Sequence, residues 1–174
     1  MAEMTALARV TRVEGLGMVT IRADLDRAGD AIAGASGLPL PGRVGIVAEG
    51  DRALGWMSPD ELLLMLPHAE LADALTDLRE ALRGEASLVA DVSDMRCVFD
   101  LTGEDADQVL AKLSPTDLEM FPPGALRRTR LAQVPAAFWR IPGGFRLIAF
   151  RSVEVYLREL LETAAAPGTW LDPR

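Results

Sequence analysis

Lysine, histidine, cysteine and tyrosine each occur once in this 174-residue chain, as Lys112, His68, Cys97 and Tyr156. A single cysteine excludes an internal disulfide and fits a reducing, cytoplasmic compartment. Cys97 sits in the strand-like run Arg96-Cys97-Val98-Phe99 and reads as a buried thiol. A Ser-His-acid triad would have to use His68, and no Gly-x-Ser-x-Gly elbow exists. A zinc site would need His68 and Cys97 plus two carboxylates, with no ligand spacing to support it. His68 therefore reads as a solvent-facing residue at a helix start, and no metal site is expected. No apolar stretch reaches the roughly 18 residues of a membrane span, and no basic-then-apolar leader opens the chain. Gly15-Leu16-Gly17 lacks the third glycine of a dinucleotide fingerprint and precedes a strand. The phosphate-cradling Gly-x-x-x-x-Gly-Lys is absent too. No flavin, nicotinamide or nucleotide site is recognisable.

What is present is ordinary globular material, 49% hydrophobic and 25% charged. The length fits one domain over 1–174, with a loosely held arm at 1–17 and a tail at 165–174. Basic residues number 18 and acidic residues 26, so the net charge is 18 − 26 = −8. That field repels nucleic acid and anionic membrane. All the basic residues but Lys112 are arginine. The bias fits a GC-rich coding sequence; the functional alternative is bidentate recognition of carboxylate or phosphate.

Hydrophobic spacing predicts strands at 18–23, 44–48, 52–56, 87–92, 96–101, 128–134, 136–141 and 145–150. It predicts helices at 25–35, 68–82, 105–113 and 153–164. Gly37 is expected to cap the first helix and Ser152 to open the last. Ser58-Pro59-Asp60-Glu61 has the form of a capping box, so one helical turn is expected before the apolar run Leu62–Leu66. Pro135 suggests an edge or a bulge. The irregular alternation predicts an α+β fold, a mixed, mostly antiparallel sheet with helices packed on it.

Few residues suggest chemistry. Asp91, Asp94 and Asp100 could form a paired-carboxylate site, although Ser93-Asp94 also fits a capped turn. Arg127, Arg128 and Arg130 form the densest positive patch, suited to a solvated or partner-facing surface or to a carboxylate ligand. Trp56, Trp139 and Trp170 read as core or interface anchors, and Trp170 as the one to dock on a partner.

Several segments in order resemble the gamma subunit of heterotetrameric sarcosine oxidase. They are Gly55-Trp56-Met57-Ser58-Pro59-Asp60-Glu61-Leu62-Leu63-Leu64, Asp91-Val92-Ser93-Asp94 with Leu101-Thr102-Gly103-Glu104-Asp105-Ala106, Ser114-Pro115-Thr116-Asp117-Leu118 with Phe121-Pro122-Pro123-Gly124, and Phe150-Arg151-Ser152-Val153-Glu154-Val155-Tyr156-Leu157. That family in turn is similar to the first part of the folate-binding T-protein of glycine cleavage, through Asp91-x-Ser93 and Gly103-x-x-Ala106-x-x-x-Leu110. The resemblance implies a structural subunit with no catalytic residue of its own. The assembly would oxidise sarcosine, N-methylglycine, to glycine with hydrogen peroxide and, given tetrahydrofolate, yield methylenetetrahydrofolate. FAD, FMN, NAD and tetrahydrofolate would sit in partner subunits, the partners being alpha, beta and delta chains. The alternatives are a stand-alone folate-binding or one-carbon-transfer domain, using Asp91, Arg127, Arg128 and Arg130, and a homo-oligomer with another task. The T-protein's later hairpin follows its Gly-Gly turn with acidic residues, whereas Thr129 to Phe145 holds no Asp or Glu.

Overall fold

The computed structural model describes residues 5–171, which form two compact units. The first is built from Met1–Glu14 and Met95–Arg174, the second from Gly15–Asp94. All strand pairings in both are antiparallel. The mostly antiparallel α+β expectation is met by two five-stranded sheets, each with its own core.

In the first unit, strand β1 (Arg9–Val13) precedes the excursion of the chain into the second unit, whose first strand is β2 (Leu16–Arg22). Helix α1 (Leu25–Ser36) follows, then β3 (Ile46–Glu49), β4 (Arg52–Ser58), β5 (Glu61–Pro67), α2 (Leu71–Ala81) and β6 (Leu88–Asp91). The first unit resumes with β7 (Arg96–Thr102), α3 (Ala106–Ala111), β8 (Leu126–Leu131), β9 (Val134–Ile141), β10 (Gly144–Phe150) and α4 (Glu154–Ala165). Its sheet runs in the order β1-β7-β10-β9-β8; the second unit's sheet runs β3-β4-β5-β2-β6.

Local chemistry explains most boundaries. Asp24 caps α1 by accepting from the Asp26 N–H, and Gly37 closes it in the left-handed region at φ 71°. Ala28 and Ile32 of α1 and Leu71, Ala74 and Leu78 of α2 pack against Val19, Ile21, Leu62, Leu64 and Leu66. In β5 the opposite-facing Leu63 and Met65 are buried as well. That is why 62–66 reads as an unbroken apolar run.

The expected helical turn at Ser58–Glu61 is instead a tight link between β4 and β5. The Ser58 hydroxyl donates to Asp60 Oδ1 at 2.7 Å rather than to a helix N–H, and pairing resumes at once with Ser58 opposite Glu61. Ser152 does not cap α4. Residues Arg151–Val153 form a single 3-10 turn, and the capping position falls to Val153.

The segment expected to be a loose arm contains β1, which pairs with β7 from Arg9 opposite Thr102 to Val13 opposite Val98. Leu7 and Ala8 are buried beside it, and the Leu7 N–H donates to the Ala165 carbonyl at 2.9 Å. Residues 1–4 of that arm and 172–174 of the expected tail lie outside the described residues. Pro135 marks neither an edge strand nor a bulge, since β9 is continuous and lies between β8 and β10. The last β9–β10 pair is Ala136 with Ala149, so Pro135 stands just past the ladder that would need its N–H.

Gly144, on β10 opposite Thr102, is required by close approach. A Cβ there would collide with the Leu101 carbonyl oxygen and crowd the Thr102 Cα at 3.0 Å. Backbone cannot yield as a flexible side chain can. The substitution Gly144→Ala is expected to destabilise the protein by about 2–4 kcal/mol. Chemical denaturation followed by circular dichroism reads this, with Gly143→Asn in the neighbouring turn (φ 78°) as the tolerated control.

Candidate functional site

In the second unit the chain around Asp91 is a closed hydrogen-bonded corner. The Asp91 carboxylate accepts from the Ser93 N–H at 2.9 Å and from the Ser93 hydroxyl at 2.6 Å. Ser93 Oγ accepts in turn from the Met18 N–H at 2.9 Å. Strand β6 pairs with β2 through Val19 opposite Asp91, and the Val92 N–H donates to the Met18 carbonyl. The corner thus ties the end of β6 to β2. The Ser93 hydroxyl and N–H bonds hold the Asp91 carboxyl below its ordinary range, with a smaller contribution from the charge of His68. A carboxylate so stabilised is a poor base, and its donor serine is already committed, so the pair serves as a turn clasp. His68 is exposed, in a 3-10 turn over His68–Glu70.

The arginine candidates belong to the other unit. Arg127, Arg128 and Arg130 are exposed on β8. Strand alternation sets Arg128 and Arg130 on one side of the sheet and Arg127 on the other. The four residues proposed for folate are therefore divided between the units, Asp91 in one and the three arginines in the other. Asp94 stands in the turn after β6, and Asp100 is engaged on β7.

The sheet of the first unit holds the better-built electrostatic features. Asp100 and Arg146 face each other across β7 and β10, with a bidentate pair of 2.7 and 2.8 Å. The hydrogen bonds to Asp100 raise the Arg146 pKa. Arg12 Nε donates to Glu154 Oε1 at 2.9 Å, joining β1 to α4, and the Arg12 guanidinium lies 5.8 Å from the Phe99 ring centre. Hydrogen bonding from Arg12 holds Glu154 below its ordinary value of 4.5. Arg140 donates to the Phe121 and Leu118 carbonyls and to Asp107, and it stacks 4.7 Å from the Phe145 centroid. Lys112 donates to the Ala164 carbonyl at 2.6 Å and to Thr169 at 2.8 Å, clasping the C-terminal end of α4; burial lowers its pKa.

Cys97 is fully buried, and its thiol contacts the Ala149 and Phe150 carbonyls. Burial pushes the thiol pKa up, which disfavours the nucleophilic thiolate. Among the described residues no group of three or more His, Cys, Asp and Glu side chains could hold a metal ion. No described helix is long and apolar enough to cross a membrane. A shallow cleft of about 440 Å³ lies in the second unit, bounded by Arg22, Asp24, Asp60 and Ser87. Arg22 already pairs with Asp60 at 3.3 Å across it.

Sequence reading missed the Arg12–Glu154 and Asp100–Arg146 pairs. Their partners lie 142 and 46 residues apart; the second pair follows from the register of β7 and β10, and the first from the packing of α4 beside β1. Trp139 is buried, Trp56 packs against the second core, and Trp170 is half-exposed.

Several known proteins are similar to this chain. The model of the sarcosine oxidase gamma subunit family matches residues 22–165. A sarcosine oxidase subunit gamma from Arthrobacter sp is 41% identical over 128 residues, 70% of this chain and 62% of that protein. The chain thus covers less than two thirds of that relative's length. A chain of the heterotetrameric sarcosine oxidase from Corynebacterium sp. U-96, solved in complex with pyrrole 2-carboxylate, superposes with a TM-score of 0.86 at 28% identity, covering 96% of this chain and 88% of that one. Aminomethyltransferase T of the glycine cleavage system from Bartonella henselae shares the fold, with a TM-score of 0.68 at 13% identity over 91% of this chain and 46% of that one.

The shifted carboxyl groups make acid stability testable. Glu154 is depressed in the folded chain, so the unfolded chain binds more protons in acid. Its contribution is complete above the unfolded value of 4.5 and is lost as the pH falls through the folded value. Asp91 acts likewise from its ordinary value of 3.8 downward. Glu154→Gln is expected to cost about 1–2 kcal/mol at pH 7. It should cost less at pH 3, which urea unfolding at the two pH values measures.

Proposed function

The chain belongs to the sarcosine oxidase gamma subunit family, and from this premise we propose that it is a non-catalytic subunit of a sarcosine-oxidase-type heterotetramer. The observation that carries the reading is the fold match over 96% of the chain to a chain of heterotetrameric sarcosine oxidase. The chemistry of the described residues supports it. Asp91, Asp100, Glu154 and Lys112 each hold secondary structure together, and none is left poised as an acid, base or nucleophile.

In this reading alpha, beta and delta subunits carry FAD, FMN, NAD and tetrahydrofolate. They oxidise the N-methyl group of sarcosine, releasing glycine and hydrogen peroxide, and pass the one-carbon unit to tetrahydrofolate when it is present. The complex works in the cytoplasm. This chain contributes surface to the assembly and no residue to the reaction. Purification through a tag on this chain from its native host is the test. The expected eluate is a yellow complex with larger chains and sarcosine-dependent peroxide; a colourless, solitary chain would sink the reading.

A second reading, a stand-alone folate-binding domain, is favoured by the fold shared with aminomethyltransferase T. It has to draw on Asp91, whose carboxylate the Ser93 corner occupies. Calorimetry of the isolated chain with tetrahydrofolate is expected to give no heat of binding, and Asp91→Asn to leave sarcosine oxidation by the complex unchanged. Saturable heat abolished by Asp91→Asn would establish the second reading instead.

A further inference from the structure

The link between α1 and β3 holds a valine where the backbone favours glycine. The Gly45 N–H donates to the Gly42 carbonyl at 2.9 Å, closing the four-residue turn Gly42-Arg43-Val44-Gly45. Val44 has φ 53°, whereas Arg43 lies outside the positive-φ region. A negative φ followed by a positive one defines a type II turn, whose third position takes glycine or asparagine. A β-branched residue there is a steric outlier. The sequence sets glycine at both ends of the turn but not at the position that needs it.

Nothing within the chain offsets that strain. Val44 is 56% exposed and belongs to neither hydrophobic core. Arg43 beside it is exposed too and has no ion pair among the described residues. The segment is nonetheless firmly held. Leu38 and Pro41 are buried ahead of the turn. Leu40 packs over Gly29 of α1, where an added Cβ would stand 2.8 Å from its methyl group. Behind the turn, the Gly45 carbonyl accepts from the Trp56 N–H of β4 at 2.9 Å. The turn thus displays an apolar tip and an uncompensated guanidinium in one fixed geometry, which is how a preorganised contact is built. Strain kept at an exposed residue that the fold itself does not use points to a functional position.

Resting on the assembly reading above, we propose that the Gly42–Gly45 turn is an anchor for a partner subunit of the heterotetramer. Val44 enters an apolar pocket on that subunit, and Arg43 pairs with a carboxylate at the pocket's edge.

Two variants of the full chain test this, each read by its melting temperature when free and by titration with the partner chains it purifies with. Asparagine tolerates the left-handed region but offers no apolar tip. Val44→Asn is therefore expected to raise the melting temperature by about 2–4 °C and to weaken assembly about tenfold or more. Arg43→Glu should leave melting within about 2 °C and weaken assembly about tenfold or more. A Val44→Asn chain that assembles within about threefold of wild type would overturn the proposal and leave the assembly reading standing. A Val44→Asn chain that melts lower would also overturn it, assigning the valine to the chain's own packing. So would loss of self-association with partner binding intact, which would give the turn to a second copy of this chain. Failure of the wild-type chain to assemble with any partner would remove both readings.

Discussion

The pairing of β1 with β7 is the constraint on which the first unit depends. Strand β7 is bonded on both sides, to β1 and to β10, and the chain between β1 and β7 folds into a separate compact unit. Five residues near the start must therefore find partners more than 80 residues away, a closure of high entropic cost. Apolar contact and charge both offset it. Leu7 and Ala8 enter the core with Phe99, Leu101 and Leu161, and Arg12 reaches Glu154 on α4. The tight approach at Gly144 lies at the other flank of β7, where the Leu101 and Thr102 backbone leaves no room for a Cβ at the first residue of β10.

Arginine outnumbers lysine for a reason visible in the contacts, whatever the origin of the codons. Arg140 bonds two loop carbonyls and a carboxylate while its face lies on Phe145. Arg52 bonds Glu70 through Nε and the Ser36 carbonyl at the end of α1 through a terminal nitrogen. A planar fork with several donors and a stacking face can do this, and an ammonium group cannot. The single lysine instead gathers acceptors at one helix end as a compact charge. Arginine is in this way committed to joints between elements.

Much of the architecture was legible locally. The β3–β4 hairpin, α1 with its Gly37 cap, and the Leu71–Leu78 face of α2 follow from spacing and turn chemistry alone. Ser58 and Ser152 misled because both stand in sequences that resemble helix caps, yet tertiary pairing decided their geometry. Ser58 was drawn into a strand-to-strand turn, and Ser152 into a 3-10 turn ahead of the helix. The arm containing β1 was illegible for a different reason. Arg9-Val10-Thr11-Arg12-Val13 is too polar to announce a strand, and it becomes one by covering an edge of β7. At the candidate site, Asp91 and Ser93 were found by motif, but their mutual bond was not readable. Nor could one sequence reveal that Asp91 and the β8 arginines belong to different units.

The central claim is that this chain is a cofactor-free part of a larger oxidase. Native mass spectrometry of the intact complex, with collisional ejection of this chain, tests it most directly. The account predicts a heterotetramer from which the chain leaves at its bare mass of 18.7 kDa, with flavin retained by the remaining subunits. Ejection of the chain with bound flavin or folate, or a spectrum showing only free chain or its self-oligomers, would contradict it.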